Sequence, residues 1–435
     1  MKPERRPRGP RIARTEPSQT LCRLPRRPAR AVAERWHVVA CWCLALAALL
    51  APAAAAQDAE LRSFQSRHYL IHTDLERDEV VEFGRHMDAV FAEFERRFDG
   101  FRNRRRAPMP LYLFSNEDGY RDYLAKLDID ATNSGGMFFV RPQAQGLATW
   151  VGGKSTTRTQ VVLQHEGFHQ FAWSYIGRDL PVWINEGLAQ YFEDGIFTGR
   201  RMRTGMADAR RIAMVRNAIE TEQAIPLEQI VSLTGQAWSD TLATDPQRSS
   251  LLYAQSWSIV YYLVHGRDGR YRAAFQRYLQ LVSEGRRSDQ AMRQAFGVES
   301  LAGIDAQWRA YALAQEPDPV TAAAERLDFF GVAMAYIKEQ GEEIPDSFEA
   351  FQSLLSRRSF ALTRSSHGLT HEISAADPEV FTFTRPGGVD APFRMLAPAR
   401  DDLPPRIEAP GLRPEPRLEW SRDSQGQLVY EIEYR

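Results

Sequence analysis

Hydrophobic and polar residues follow two patterns over residues 57–155. Short apolar runs at 69–72 and 110–114 have the length and composition of β-strands. Between these runs, apolar side chains recur every three or four positions, which is the period of an amphipathic helix. The apolar positions of this helix are Val80, Phe83, Met87, Phe91, Phe94 and Phe98. We therefore predict a small sheet with helices in the N-terminal part of the molecule.

The pattern changes twice after this region. From residue 156 it is almost entirely helical, until the proline-containing segment at 316–319 interrupts it. A helix over 322–338 and strand-like runs at 380–383 and 428–432 are predicted beyond that segment. The predicted fold class is α+β. Its parts are a small N-terminal sheet with helices (57–155), a mostly helical region (156–316) and a small C-terminal α+β domain (320–435).

The N-terminal segment has the layout of a secretory signal peptide. No Asp, Glu, Lys or Arg occurs from Trp36 to Gln57, and the apolar core at 37–50 follows many arginines. Small residues at 53–56 suit cleavage. We predict a signal peptide over residues 1–56 and a mature protein in the periplasm or outside the cell. The alternative is an uncleaved membrane anchor facing outside the cytoplasm, although the apolar core is shorter than the roughly 20 residues of a membrane span.

Cysteine content and charge exclude some classes of protein. All three cysteines lie within residues 1–56, so the predicted mature chain has no disulfides. That segment carries a net charge of +8 and the whole chain −1, which leaves −9 for the remainder. An acidic chain without a basic stripe or a phosphate-binding glycine loop is not expected to bind nucleic acid. Arginine-rich runs at 102–106 and 200–203 are predicted to be solvated loops.

The most informative polar pattern is H-E-G-F-H at residues 165–169. Residues four apart in a helix lie on the same face, so His165 and His169 can bind one metal ion. Glu166 would flank that ion and could take a proton from a bound water. The surrounding helix, predicted over 157–176, is largely apolar, and its polar groups need partners that a metal would supply. The alternative is a pair of histidines packed on an ordinary helix.

A second helix is predicted to complete the site. Gly177 is expected to end the first helix in a left-handed conformation, and Pro181 suits the first turn of the next one. Sixteen residues lie between His169 and Glu186. That length allows the chain to reverse and to present Glu186 to the same metal ion.

The run W-I-N-E-G-L-A at 183–189, downstream of H-E-G-F-H, resembles the W-x-N-E-G-x-A stretch of the gluzincins, the zinc peptidases whose third ligand is a glutamate. Residues 68–308 are similar in layout to uncharacterised bacterial proteins of the peptidase MA-like kind. The resemblance implies a zincin catalytic unit made of the first two regions, with Zn²⁺ as its cofactor and Glu166 as general base. The implied zinc ligands are His165, His169 and Glu186.

The same resemblance implies supporting roles for other residues. Asn185 and Glu193 correspond to positions that often hold the metal ligands in place, although plain helix-surface residues are the alternative. Gluzincins often use a tyrosine on a later helix to stabilise the oxyanion. Tyr253 is the candidate for that role, with a core or surface tyrosine as the alternative. Tyr191 and His265 are weaker candidates.

The chain departs from the aminopeptidase branch of the gluzincins. The G-A-M-E-N sequence, with which aminopeptidases hold a free amino group, is absent, and a strand-like run at 134–140 without a glutamate takes its place. The spacer before Glu186 is also slightly shorter. We therefore do not predict aminopeptidase specificity. The strand at 134–140 could pair with an extended peptide or be a buried structural strand. His367 and His371 share helical spacing, but their neighbours indicate a loop, so a second metal site is a minor alternative.

Taken together, the patterns and the resemblance predict an exported zinc-dependent peptidase with a peptide or protein substrate. Zinc with three protein ligands keeps a fourth position for water, whose pKa falls to about 7. Glu166 would move the proton of that water to the leaving amine. The alternative is a non-catalytic envelope binding or scaffold protein with a structural zinc site, although such a site needs no base. Membrane contact is expected only if the N-terminal segment stays uncleaved.

Overall fold

The computed structural model describes most of the chain beyond residue 60. The described residues are 12–13, 61–101, 107–132, 134–152, 156–199, 201–366, 369–422 and 426–435. Apart from the short strand β1 (Ile12–Ala13), the predicted signal peptide lies outside the described residues. The arginine-rich run at 102–106, Arg200 and His367 also lie outside them. Within these ranges, every helix is too short or too polar to cross a membrane.

Five strands form the N-terminal sheet, and one of its two edge strands borders the predicted metal site. The elements are β2 (Arg62–Gln65), β3 (Tyr69–Thr73), α1 (Arg77–Arg97), β4 (Met109–Phe114), α2 (Glu117–Ala125), β5 (Gly136–Val140) and β6 (Gln145–Trp150). The strand order is β2-β3-β4-β6-β5; the three central strands are parallel, and the edge strands β2 and β5 are antiparallel to their neighbours. β3 and β4 coincide with the strands predicted at 69–72 and 110–114.

Helices dominate the next region, as predicted. The elements are α3 (Thr156–Phe171), α4 (Val182–Glu193), β7 (Ile196–Phe197), β8 (Met202–Arg203), α5 (Ala209–Glu220), α6 (Leu227–Ser232), α7 (Gly235–Thr244), α8 (Pro246–Gly269), α9 (Arg272–Ser283), α10 (Ser288–Phe296) and α11 (Ala302–Ala314). A π-helical segment, Ala172–Ile176, extends α3. The prediction of a left-handed Gly177 is wrong, because its φ is 170°. Its N–H bonds to the Ala172 carbonyl, which ends the helix without a left-handed residue. Pro181 lies directly before α4 rather than in its first turn.

Aromatic side chains hold α1, α3 and α4 together beneath the site. The apolar positions predicted for α1 are all buried. Phe94 of α1 packs edge-to-face against Phe168 of α3 and Phe192 of α4, with ring centroids 5.6 Å and 4.7 Å apart. Each fully buried ring of this size stabilises the fold by about 1.5–3 kcal/mol relative to exposure. The helices that carry the predicted ligands are therefore fixed by the main core.

Helices α4 and α8 approach each other closely at Gly187. A Cβ at this position would lie 2.6 Å from the Ser256 carbonyl oxygen and 2.9 Å from Val260 Cγ2. Backbone atoms on α8 cannot give way as a flexible side chain would. The glycine that follows Glu186 thus lets α8 pack directly against the part of α4 that carries the predicted ligand.

A helix pair and short antiparallel sheets form the C-terminal region. The elements are α12 (Pro319–Glu339), α13 (Phe348–Arg357), β9 (Ala361–Ser366), β10 (Leu369–Ser374), β11 (Thr382–Arg385), β12 (Val389–Pro392), β13 (Arg394–Leu396), β14 (Arg406–Glu408), β15 (Pro416–Arg422) and β16 (Leu428–Tyr434). Strands β13 to β16 form a four-stranded antiparallel sheet, and Ile196 and Met206 from the helical region join its hydrophobic cluster. The predicted α+β fold class is confirmed.

Two local predictions in this region are wrong. The strand expected at 380–383 begins only at Thr382, because Pro378–Phe381 forms a 3₁₀ turn capped by the Asp377 side chain. His371 lies in β10, paired with β9, rather than in a loop. His367 lies outside the described residues, so the minor alternative of a second metal site stays a prediction.

Candidate metal centre

The structure brings His165 and His169 of α3 together with Glu186 of α4. One ligand atom from each residue lies within 4.8 Å of the other two. The distance from Glu186 Oε2 is 3.5 Å to His165 Nε2 and 3.7 Å to His169 Nε2. The two imidazole rings are 4.8 Å apart at their centroids and nearly perpendicular. We call these three side chains the metal centre; their nitrogen and oxygen atoms point at a common space.

Glu193, near the C-terminal end of α4, contacts the His165 ring and holds it in place. The distance from His165 Nδ1 to Glu193 Oε2 is 2.5 Å, and both side chains are largely buried. This contact occupies Nδ1 and leaves Nε2 to face Glu186. Burial alone would lower the pKa of His165, but the nearby carboxylates of Glu193, Glu186 and Glu166 outweigh it and raise that pKa well above 6.5. The surroundings of this ring attract positive charge.

Glu193 is fixed in turn by Arg211 of α5. One guanidinium nitrogen of Arg211 donates to Glu193 Oε1, and another donates to both carboxylate oxygens of Asp194 at 2.5 and 2.6 Å. The Arg211 guanidinium also lies over the Trp257 ring, 5.7 Å from its centroid. Burial opposes the charge on this arginine, but Asp194, Glu193 and Asp208 raise its pKa above the usual value. The H-E-x-x-H and N-E-G motifs give no indication that Arg211 belongs to the site.

His169 and Asn185 carry buried polar atoms that the protein leaves without hydrogen bonds. These atoms are His169 Nδ1 and Asn185 Oδ1. An imidazole that binds a metal through Nε2 carries its proton on Nδ1 and donates it to an oxygen acceptor. Asn185 directly precedes Glu186 and offers an acceptor of that kind. His169 Nδ1 has no hydrogen bond to such an acceptor among the described residues, so the indication of a metal centre comes from Nε2, which lies 3.7 Å from Glu186 Oε2.

Glu166 lies between the metal centre and β5, an edge strand of the N-terminal sheet. The backbone N–H of Phe138 in β5 donates to Glu166 Oε2 over 2.8 Å. Among the described strands, β5 pairs only with β6, so this N–H points away from the sheet and towards the site. On the same side, the Phe138 ring lies 6.3 Å from the Trp173 ring, which the Arg178 guanidinium covers at 5.4 Å. The strand predicted at 134–140 is thus an edge strand beside the site.

Tyr253 of α8 lies close enough to the metal centre to be affected by its charge. Burial raises the pKa of Tyr253, and electrostatic interactions with Glu186 and Glu166 raise it further. Its ring packs edge-to-face against Trp238 at 5.1 Å. A phenol with a raised pKa remains protonated at neutral pH, so the Tyr253 hydroxyl can donate a hydrogen bond.

The weaker candidates for the oxyanion role, Tyr191 and His265, form a separate cluster. The Tyr191 hydroxyl lies 3.0 Å from His265 Nε2, and the Arg97 guanidinium lies over the Tyr191 ring at 5.1 Å. Burial lowers the pKa of His265 to about 4, helped by the positive charges of Arg97 and Arg272. We call Tyr191, His265 and Arg97 the tyrosine–histidine cluster. Its side chains contact one another, through the hydrogen bond between Tyr191 and His265 and through the Arg97 guanidinium over the Tyr191 ring.

Sequence reasoning also missed Gln164, which stands immediately before His165. Its side-chain amide donates to the carbonyl oxygens of Phe192, Glu193 and Gly195 at 2.8, 3.1 and 2.9 Å. The last carbonyl groups of a helix have no partner within the helix. Gln164 satisfies them at the end of α4 and so ties the two ligand-bearing helices together. Its apolar neighbours were the one available sign, because a polar residue in a buried run needs a partner.

The donor set fits zinc in chemistry. Two imidazoles and one carboxylate form a three-ligand set of the kind that catalytic zinc sites use, with room for a further ligand. The negative surroundings of His165 and the shared space between the three side chains both agree with a bound divalent cation. The residues present would therefore accept zinc.

Comparison with known proteins adds one match. Residues 160–287 match a family described as "Protein of unknown function (DUF1570)". None of the curated proteins compared with the chain matches it significantly. The matched segment contains the metal centre, Glu166, Arg211 and Tyr253, whereas Phe138 of β5 lies outside it.

Proposed function

We propose that this protein is an exported zinc-dependent peptidase of the gluzincin type. The observation that carries the proposal is the convergence of His165, His169 and Glu186, whose ligand atoms lie within 4.8 Å of one another, with Glu166 beside them. The H-E-x-x-H and N-E-G patterns at these positions support the same assignment.

Each of the three proposed ligands would bind the metal through one side-chain atom. His165 and His169 would bind through Nε2, because Glu193 occupies Nδ1 of His165 and Nε2 is the His169 nitrogen that lies 3.7 Å from Glu186. Glu186 would complete the set from α4. When bound, zinc supplies Lewis-acid chemistry, which polarises a carbonyl group and lowers the pKa of a water molecule to about 7.

Glu166 is the proton carrier in the proposed reaction. Its carboxylate would take a proton from the attacking water and return it to the amine that leaves. The Phe138 N–H fixes one carboxylate oxygen at 2.8 Å, which leaves the other oxygen to accept that proton. A side chain held in this way is oriented before the substrate arrives.

The substrate would lie between β5 and α8. An extended peptide can add to the exposed edge of a sheet through backbone hydrogen bonds, and β5 offers such an edge beside Glu166. Tyr253 on α8 would donate to the oxyanion that forms at the scissile carbonyl. The missing G-A-M-E-N sequence argues against a dedicated site for a free amino group, so the proposed activity is peptide hydrolysis without aminopeptidase specificity.

Location and partners follow from the N-terminal segment and the charge. The signal peptide proposed for residues 1–56 would place the enzyme in the periplasm or outside the cell, with a peptide or protein as its substrate. The acidic balance of the remainder argues against nucleic-acid binding.

The proposal is tested by hydrolysis of a quenched fluorescent peptide library with the zinc-loaded wild type, Glu166→Gln and His165→Ala. We expect Glu166→Gln to retain zinc and to lose about 10²–10⁴-fold in hydrolysis, the usual contribution of a general base. His165→Ala should lose zinc as well as activity. Glu372→Gln, a substitution of an exposed glutamate on β10, is a control that should leave both unchanged.

The results separate three cases. A purified wild type that binds no zinc removes the basis of the proposal. Zinc binding without hydrolysis that depends on Glu166 supports the alternative of a non-catalytic envelope binding or scaffold protein. Zinc binding with hydrolysis that depends on Glu166 supports the peptidase.

A further inference from the structure

The acidic groups around Arg211 make it an unusual buried side chain. Arg211 is only 8% exposed, and Glu193, which it contacts, is 6% exposed. A buried charge is costly unless it is paired and hydrogen-bonded. Arg211 meets this condition through Glu193 and through both oxygens of Asp194. The arrangement fixes three charged side chains in a single geometry.

The position of Arg211 is set independently of the metal centre. Asp208 caps α5, and its side chain accepts a hydrogen bond from the Arg211 backbone N–H over 2.9 Å. The guanidinium lies over Trp257, one of the fully buried rings of α8. Arg211 is therefore anchored by α5 and α8, whereas the carboxylate that it holds belongs to α4.

The chain of contacts runs from this anchor to the metal centre. Arg211 donates to one oxygen of Glu193, and the other oxygen contacts Nδ1 of His165 at 2.5 Å. Because the two oxygens of a carboxylate are rigidly linked, fixing one determines where the other points. The second oxygen then sets the orientation of the His165 ring and leaves Nε2 facing Glu186.

We propose that Arg211 is a positioning residue that acts through Glu193 to orient His165 for metal binding. The inference rests on the proposed function, and it adds a residue outside the H-E-x-x-H and N-E-G motifs. Partners that orient a metal-binding histidine typically contribute 10–100-fold to metal affinity. Arg211 would contribute by keeping the Glu193 carboxylate in the required place.

The neighbouring arginine provides a matched control. Arg210 occupies the adjacent position on α5 and pairs with Asp208 and Glu325 instead of Glu193. Arg210→Gln removes the same charge from the same helix. If overall charge or the stability of α5 controlled zinc binding, both substitutions would weaken it.

A double-mutant cycle tests the inference, with zinc affinity measured by competition against a chromophoric chelator. We expect Arg211→Gln to weaken zinc binding by about 10–100-fold, and Arg210→Gln to leave it unchanged. In the Glu193→Gln background, Arg211→Gln should cause less than about threefold further loss, because the carboxylate through which it acts has been removed. Arg211→Lys should recover part of the affinity, since it keeps the charge but not the planar fork.

Circular dichroism establishes that each variant is folded, and Arg211→Lys takes the place of Arg211→Gln in the cycle if the latter does not fold. Equal losses in both backgrounds, or no loss from Arg211→Gln, would overturn the inference, because Arg211 would then act independently of Glu193 or not at all. A wild type that binds no zinc overturns the proposed function itself. If the wild type binds zinc tightly but Arg211 and Glu193 are not coupled, the positioning role of Arg211 is overturned and the proposed function is not.

Discussion

Helices α4 and α8 both contribute to two polar clusters that contain the same residue types but differ in charge. In the metal centre, Glu186 of α4 stands opposite His165 and His169, and Tyr253 of α8 is near enough to be affected by its charge. In the tyrosine–histidine cluster, Tyr191 of α4 bonds to His265 of α8. Histidine, tyrosine and buried helix surface are thus common to both.

The charged neighbours decide what each histidine can do. Carboxylates surround His165 and raise its pKa above 6.5 in spite of burial. Burial and two arginines, Arg97 and Arg272, lower the pKa of His265 to about 4. The first environment favours a bound cation, whereas the second favours a neutral ring that shares a hydrogen bond with Tyr191. Carboxylates that face a buried histidine therefore favour a cation beside it, whereas arginines favour the neutral ring.

The largest expected difference between the clusters is in metal binding. Glu186→Gln and His169→Ala should each weaken zinc binding by more than about 100-fold, because losing a ligand costs more than losing an outer partner. His265→Ala should leave zinc affinity unchanged. Isothermal titration of the metal-free proteins measures these affinities. Equal losses in all three variants would contradict the distinction between the clusters.

The two tyrosines should differ in their effects on turnover. Tyr253→Phe should lower kcat by about 10²-fold without loss of zinc, because it removes a donor proposed for the oxyanion. Tyr191→Phe should lower the free energy of unfolding by about 1 kcal/mol, through the lost bond to His265, and leave kcat unchanged. Steady-state kinetics and urea unfolding separate these outcomes. If kcat fell only in Tyr191→Phe, the roles assigned to the two tyrosines would be reversed.

Helices α4 and α8, which contribute to both clusters, approach each other closely at Gly187. Gly187→Ala would place a Cβ 2.6 Å from the Ser256 carbonyl oxygen, so α4 and α8 must move apart. Overpacking of this kind costs about 1–3 kcal/mol, which urea unfolding measures. Gly303→Ala, in α11, is the matched control because nothing lies within 4 Å of its added methyl group. If both variants were equally stable, the close packing of α4 on α8 would not be required.

The two clusters should also differ in the pH dependence of stability. Because the folded pKa of His265 is about 4 and the unfolded value about 6.5, the unfolded chain takes up the proton first. Stability should therefore fall between pH 6.5 and 4, by at most about 3 kcal/mol relative to His265→Gln. Urea unfolding of both proteins at pH 7 and pH 4.5 measures the change.

His165 should show the opposite sign in metal-free protein. Its folded pKa lies above 6.5, so its protonated form stabilises the fold fully below pH 6.5, and that contribution is lost as the pH rises through the folded pKa. Comparing metal-free wild type with His165→Gln at pH 6 and pH 9 tests this. The same pH trend for both histidines would refute the contrast between their environments.

The motif residues allowed much of the site to be predicted. The four-residue spacing of His165 and His169 on an apolar helix required them to share a face, and the sixteen-residue spacer allowed Glu186 to reach them. The larger elements of the fold were predictable for a similar reason. Apolar periodicity in α1 and in β3 and β4 reflects burial against neighbouring elements, which the structure confirms.

The supporting groups could not be predicted from local pattern. Arg211 contacts Glu193 from 18 positions away, and the Phe138 backbone N–H reaches Glu166 from 28 positions away. Neither contact produces a periodic pattern in the sequence. A backbone donor has no sequence signature, and a single buried arginine cannot be told from a helix-surface arginine by its sequence neighbours. The helix end at Gly177 was mispredicted because a π-helical turn satisfies the last carbonyl groups without a left-handed residue.

The most direct test of the central claim is crystallographic detection of zinc at its absorption edge. Zinc-loaded crystals should show one strong anomalous peak between His165, His169 and Glu186, within about 2.0–2.2 Å of the two Nε2 atoms and one carboxylate oxygen. Crystals of Glu186→Gln soaked in the same way should show a much weaker peak. A peak elsewhere in the wild type, or none, would contradict the claim that these three side chains form a zinc site.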